Sequence, residues 1–319
     1  MNARLRRFRA CLMPTGMHPW MHPETDTRLW TGKGAGVYRA YDRIFDCGTH
    51  GWANLQSMQV NFPFGDDAQF ARLHAAARLA LPILPAIAAS SPFQDGAAPG
   101  ALDCRLEAYR TNAPAVPLMN GDLIPEPASS RAQYEREHLE PLYRALAPLD
   151  PEAVLRHEWV NARGAIARFD RNAIEIRVLD LQECPAADLA LAAAIIDVVQ
   201  LLYRENPERE IPSGTLATVL LACIRQGERA RIDSSLYLQS LKMGSRPCEA
   251  GDVWRGLAER MKDGAHRGLW RPVLDFILQR GPLSRRMLDA VGAQPSRDAL
   301  AELYHRLCEC LERNRMFRP

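Results

Sequence analysis

Lysine is nearly absent from this chain. Of its 40 basic residues only Lys33, Lys242 and Lys262 are lysine, and the rest are arginine. Arginine suits bidentate recognition of carboxylate or phosphate. Arginine and alanine are abundant together, however, and a GC-rich coding sequence accounts for that. Neither charge sign is in excess, since the formal net charge is +2 over 319 residues. Nothing therefore marks the chain as a nucleic-acid binder or a membrane-surface protein. The opening "MNARLRRFRACLMPTG" is basic but lacks the apolar run of a signal peptide. No long apolar run is free of polar groups. The most apolar, "PAADLALAAAIIDVVQLLYRE", holds Asp188, Asp197, Gln200 and Arg204, so burial in protein is expected rather than in lipid. No CxxC pair occurs among the 8 cysteines, and Cys308 and Cys310 point apart on a helix. Reduced thiols and a cytoplasmic location are expected. Internal repeats are lacking as well.

What is present is a hydrophobic content of 47%, enough for a sizeable core in one or two domains. The first fifty residues show weak periodicity, with a short helix around "GAGVYRAYDRIF". "LQSMQVNFPFG" alternates, with Met58, Val60 and Phe62 opposite Gln59 and Asn61, as a strand with one polar face does. Asp66 and Asp67 open a helix that Pro82 and Pro85 kink. Ser130 and Gln133 form a capping box for the next helix. Residues 154–182 return to strands, broken at Gly164 and at the Asp170–Asn172 turn, which predicts an antiparallel hairpin. Its second arm, "NAIEIRVLD", sets Glu175 and Arg177 on one face and Ile174, Ile176 and Val178 on the other. Pro185 begins the apolar helix, and short amphipathic helices follow Ile211. Strands and helices without a regular βαβ cadence predict an α+β fold. Two regions are expected, a catalytic-type α+β region over 1–210 and a helical region over 211–319 packed on it.

A sheet covered by helices on its aliphatic side leaves the other side open for chemistry. That side collects Gln59 and Asn61 with Glu175 and Arg177. A carboxylate among amide oxygens can hold Mg²⁺, and an arginine beside it can neutralise phosphate or carboxylate oxygens. The alternative is a solvated face with a Glu–Arg pair of small energetic consequence. His18 and His22 in "HPWMHP" are four apart, but the prolines argue against a helix and no Cys or acid cluster accompanies them, so zinc is not expected.

"AIEIRVLD" resembles the signature strand of the carboxylate–amine ligases related to glutamate–cysteine ligase, in which a similar E-x-R closes the active-site sheet. "SMQVNFPF" resembles an earlier strand of that family, and "ALPILPAIAASSPFQDG" its helix ending in "SPFWQG". "RLEAYRTN" resembles the S-x-R segment, and "GMHPW" resembles "GTHPF". The five segments keep the family's order over residues 16–205. The resemblance implies a glutamine-synthetase-like curved antiparallel sheet covered by helices on one face, with a helical C-terminal region. It implies an enzyme that uses ATP and Mg²⁺ to activate a carboxylate, typically the γ-carboxylate of glutamate, as an acyl phosphate for attack by an amine. Glu175 and Arg177 would be catalytic, and Glu175 with Gln59 would hold the metal. His18, Asn61, Arg105, Tyr109, Arg110 and Arg168 would bind substrate or nucleotide. The family's acidic first strand, resembling "GVEEE", has no counterpart here. Either the reading frame starts further upstream, or this is a shortened homologue with impaired activity that serves as a binding or regulatory module. An uncovered sheet edge would favour pairing with a second subunit.

Overall fold

The computed structural model describes residues 2–205 and 210–319. It is a mixed α+β arrangement, mostly helical, with small antiparallel sheets. Helix α1 (Ala35–Phe45) starts after Gly34, whose φ of 84° lies in the left-handed region. Ala40 and Phe45 turn inward from α1 onto Val116, Leu142, Leu155 and Val160 and build a satellite core. Strand β1 (Ser57–Pro63) follows, then α2 (Asp67–Ala80). The Asp66 carboxylate caps α2 by accepting a hydrogen bond from Gln69 N at 2.8 Å. Pro82 and Pro85 do more than kink this helix: it gives way to a 3₁₀ turn, Leu81–Ile83, and a further turn, Pro85–Ala88. Helix α3 (Cys104–Tyr109) is capped by Asp103.

The expected hairpin is present as β2 (Ala165–Arg168) and β3 (Ala173–Asp180), antiparallel and joined by the turn at Asp170–Asn172. Its first arm is shorter than the sequence pattern suggested, because residues 158–160 form a 3₁₀ turn. Gly164 precedes β2 because a Cβ there would meet Val178 Cγ1 at 2.6 Å and the Leu123 carbonyl at 3.0 Å. The sheet has three strands in the order β1–β3–β2, all neighbours antiparallel. Val60, Phe62, Ile174, Ile176 and Val178 form its apolar side, buried under α2, the Pro85–Ala88 turn and α4 (Pro185–Glu205). Truncating Ile176, which has no exposed surface, to alanine is expected to cost about 2–5 kcal/mol in urea denaturation.

Helix α4 is the one described helix long and apolar enough to span a bilayer, and here it packs between α2 and the helix Arg267–Arg280. Its Asp197 is buried and accepts hydrogen bonds from Trp270 Nε1 at 2.7 Å and His266 N at 3.2 Å, with His266 Nδ1 at 2.7 Å. Asp197→Ala would leave those donors without their acceptor, and a loss of about 2–3 kcal/mol is expected by the same denaturation measurement. The C-terminal helices are α5 (Ser213–Gln226), α6 (Ala250–Arg260), α7 (Arg267–Arg280), α8 (Leu283–Val291) and α9 (Arg297–Arg313). The main core is continuous from Val60 and Phe62 through α4 to Trp254, Trp270 and Ile277. A buried ion pair, Arg286 Nη1 to Glu183 Oε1 at 2.7 Å, ties α8 to the loop before α4.

Candidate active site

Strand register puts the polar side chains together. Asn61 of β1 and Ile166 of β2 lie opposite Glu175 of β3 on its two edges. Between Ile176 and Leu179, β3 spends one more residue than β1 does between Val60 and Met58. The bulge falls at Arg177 and Val178, where it re-aims a side chain. Glu175 is only 2% exposed. Two guanidiniums enclose it there. Arg168 Nη1 donates to Oε2 at 3.0 Å, and Arg177 reaches Oε1 with Nε at 2.9 Å and Nη2 at 2.7 Å. Arg177 Nη1 also donates to the Asn161 carbonyl at 2.9 Å. Arg168 grips Asp170 with Nε at 3.2 Å and Nη2 at 3.0 Å. Burial opposes the Arg177 cation, but Tyr109 and Glu175 outweigh it and hold its pKa above the ordinary arginine value.

Arg177 and Tyr109 also line a cleft of about 800 Å³. Its inner end is made of buried Met119, Val160 and Ala162, and its walls of Tyr41, Trp52 and Trp159. Leu29, Trp30 and Tyr38 stand exposed at the mouth with Glu24, Arg28, Asp42 and Asp46. These aromatic residues went unread in the sequence, because they come from four segments between residues 30 and 159 that share no periodicity.

The other expected site residues are dispersed. Asn61 and Gln59 are exposed on β1. Arg105 is 3% exposed, and its Nε donates to Asp180. Arg168 is likewise committed to Glu175 and Asp170. Arg110 Nη2 donates to Glu107 at 2.7 Å on a half-exposed surface. His18 lies edge-on to Trp20 at 5.1 Å, with its backbone N–H on Asn54 Oδ1, and is not among the residues lining the cleft. Burial lowers its pKa below 6.5.

Mg²⁺ is held by oxygen ligands with lone pairs to spare. Glu175 is poorly suited to that, since Oε1 accepts from two N–H groups of Arg177 and Oε2 from Arg168, and both neighbours are cations that repel a metal ion. No group of three or more His, Cys, Asp or Glu side chains able to hold a metal occurs among the described residues. The arrangement therefore does not fit the expectation that Glu175 and Gln59 bind the metal. Glu175 serves to fix the two arginines.

At the far end of β3 is a cluster the sequence reading missed. Asp180 ends β3 opposite Ser57, beyond the bulge and so on the Gln59 and Asn61 side of β1, fully buried. It accepts from Ser91 Oγ at 2.6 Å, Ser90 N at 2.8 Å and Arg105 Nε. A Cβ on Gly16 would collide with its carboxylate. Strict alternation would put Asp180 on the aliphatic stripe, and the bulge that moves it leaves no mark in the alternation.

Residues 2–306 match the sequence profile of Glutamate-cysteine ligase family 2. The chain belongs to that family. A curated relative from Archaeoglobus fulgidus, described as an uncharacterized protein, is 34% identical over 306 residues, which are 96% of this chain and 76% of that protein. For a member of Glutamate-cysteine ligase family 2 the expected chemistry is carboxylate–amine ligation. The segments that carried the resemblance converge in space. "AIEIRVLD" is β3, "RLEAYRTN" is α3 with Arg105 against β3, and the serines of "SSPF" hold Asp180.

Proposed function

We propose that this protein is an ATP-dependent carboxylate–amine ligase of the glutamate–cysteine ligase type. It would activate a carboxylate, the γ-carboxylate of glutamate by family analogy, as an acyl phosphate for attack by an amine. The observation that carries the reading is the Arg168–Glu175–Arg177 clamp on the polar side of the sheet, with Arg177 facing a large cleft in a chain of this family. A sheet apolar beneath and polar above supports the glutamine-synthetase-like form of the fold.

Bringing a phosphoryl group to a carboxylate sets two anions together, and most of the enzyme's task is alignment and charge neutralisation. Arg177 has five N–H groups, of which Glu175 and Asn161 engage three. Tyr109 also bonds the guanidinium, and what remains of its donor edge can face an anionic oxygen in the cleft. Glu175 acts as a positioning residue, holding the guanidinium plane by its Nε edge. Asn61, opposite Glu175, presents an amide on the same face. Mg²⁺, which enzymes of this family use, would neutralise phosphate charge.

The test is ADP release from ATP and Mg²⁺ in the presence of glutamate and a panel of amines. Release that requires both carboxylate and amine is expected, and silence with every amine would overturn the reading. The occupied oxygens of Glu175 favour a second reading, a relative that binds these molecules without turnover. It predicts saturable binding by calorimetry with no ADP.

A further inference from the structure

We propose that the aromatic cleft beside Arg177 receives the acceptor, and that this acceptor is a protonated primary amine carried on an apolar or aromatic body. The word acceptor rests on the ligase reading. The binding claim rests on the cleft alone.

Its size comes first. About 800 Å³ falls in the range of pockets that enclose whole small molecules, and a bare amino acid would leave much of it unfilled. Its walls come next. The Tyr41 ring is 5.0 Å from Trp52 and 6.0 Å from Trp159, a continuous aromatic surface leading to buried Met119 and Val160. Of the nine large hydrophobic side chains exposed among the described residues, Leu29, Trp30 and Tyr38 all stand at this one mouth. Trp30 is 60% exposed, and its Nε1 donates to the Lys33 carbonyl at 3.0 Å, which holds the ring up at the rim. Apolar surface gathered around a concavity, rather than scattered, marks a place that something apolar covers.

Charge selects what that body carries. Glu24, Asp42 and Asp46 line the cleft against Arg28 and Arg177, so carboxylates outnumber guanidiniums there. Asp42 and Asp46 are one turn apart at the C-terminal end of α1, where the helix carbonyls add to the negative potential. One oxygen of each is anchored, Asp42 Oδ1 by Cys47 N at 3.1 Å and Asp46 Oδ1 by Gly48 N at 3.2 Å, leaving the other free for a ligand. The Cys47 thiol on the cleft wall registers the same field. Burial first, then Asp42 and Asp46, push it up to about 11. An ammonium group is attracted by the carboxylates and by the aromatic faces together.

Calorimetric titration with phenethylamine, with 2-phenylethanol as its uncharged isostere, decides the matter. Saturable phenethylamine binding is expected, with the alcohol about tenfold weaker or more. The double variant Asp42→Asn with Asp46→Asn should weaken the amine about tenfold and leave the alcohol unchanged. Trp30→Ala, on the exposed rim, should weaken both about threefold. Circular dichroism checks that the variants are folded; should the double variant not fold, the isostere pair on the unaltered protein and Trp30→Ala still decide. Equal affinity for amine and alcohol, absence of saturable binding, or indifference to these substitutions overturns the proposal. Amine binding without ADP release removes the ligase reading and keeps the cleft. ADP release with small amines but no phenethylamine binding does the reverse.

Discussion

Arg177→Met is expected to lower ADP-forming ligation about 100- to 1,000-fold, with most of the loss in kcat rather than in KM for the carboxylate. The reason is geometric. Arg177 is the clamp's only arginine on the cleft wall, and Glu175 holds its fork in one plane. A charge lost where two anions meet is felt most in the transition state. Glu175 keeps Arg168 as a partner in this variant, so the fold should survive with a stability loss of about 1–3 kcal/mol. Arg177→Lys keeps the charge but cannot bond Glu175, Asn161 and a ligand at once, so it should recover only part of the activity. If Arg177→Met and the unaltered protein share the same kcat, Arg177 is a structural residue and the site lies elsewhere.

The second large effect is on stability. Arg105→Met is expected to cost about 3–5 kcal/mol in urea denaturation, enough to unfold a marginal protein. Asp180 is fully buried and Asp103 lies beside it, so Arg105 is the cation that permits a charge there. The same cluster has a pH signature. Burial first, and the Asp180 charge second, raise the Asp103 carboxyl well above its ordinary 3.8. The folded protein therefore keeps a proton that the unfolded chain releases. This group's contribution is fully favourable below the unfolded pKa, and it is lost as pH climbs toward the folded value. Asp103→Asn keeps the oxygen that caps Leu106 N and removes that slope. Variant and parent should have matching stability near pH 4, and the variant should be the more stable at pH 8, measured as urea midpoints. A variant that loses stability equally at both pH values would show that Asp103 is ionised in the fold.

How much of this was legible beforehand follows from which interactions are local. Alternation along residues 172–180 was sufficient to place Glu175 and Arg177 on one face, because period 2 is a property of the strand itself. Pro185 at the start of α4 and Asp66 at the cap of α2 were readable for the same reason. Arg168 and Arg105 were visible only as cations. Their partners depend on hairpin register and on how α3 lies against β3, which no local pattern encodes. Hence two arginines expected to meet substrate turn out to hold Glu175 and Asp180. The cleft was the least legible feature. Trp30, Tyr41, Trp52 and Trp159 meet through tertiary packing of loops, α1 and the 158–160 turn.

The central claim is that this sheet face joins a phosphoryl group to a carboxylate before an amine displaces it. The most direct measurement uses ATP, Mg²⁺, an amine that supports turnover and glutamate labelled with ¹⁸O in its γ-carboxylate, followed by mass analysis of the released phosphate. Passage through an acyl phosphate delivers one labelled oxygen to each phosphate, and Arg177→Met suppresses that transfer in step with ADP. Unlabelled phosphate accompanied by amide formation would contradict the account.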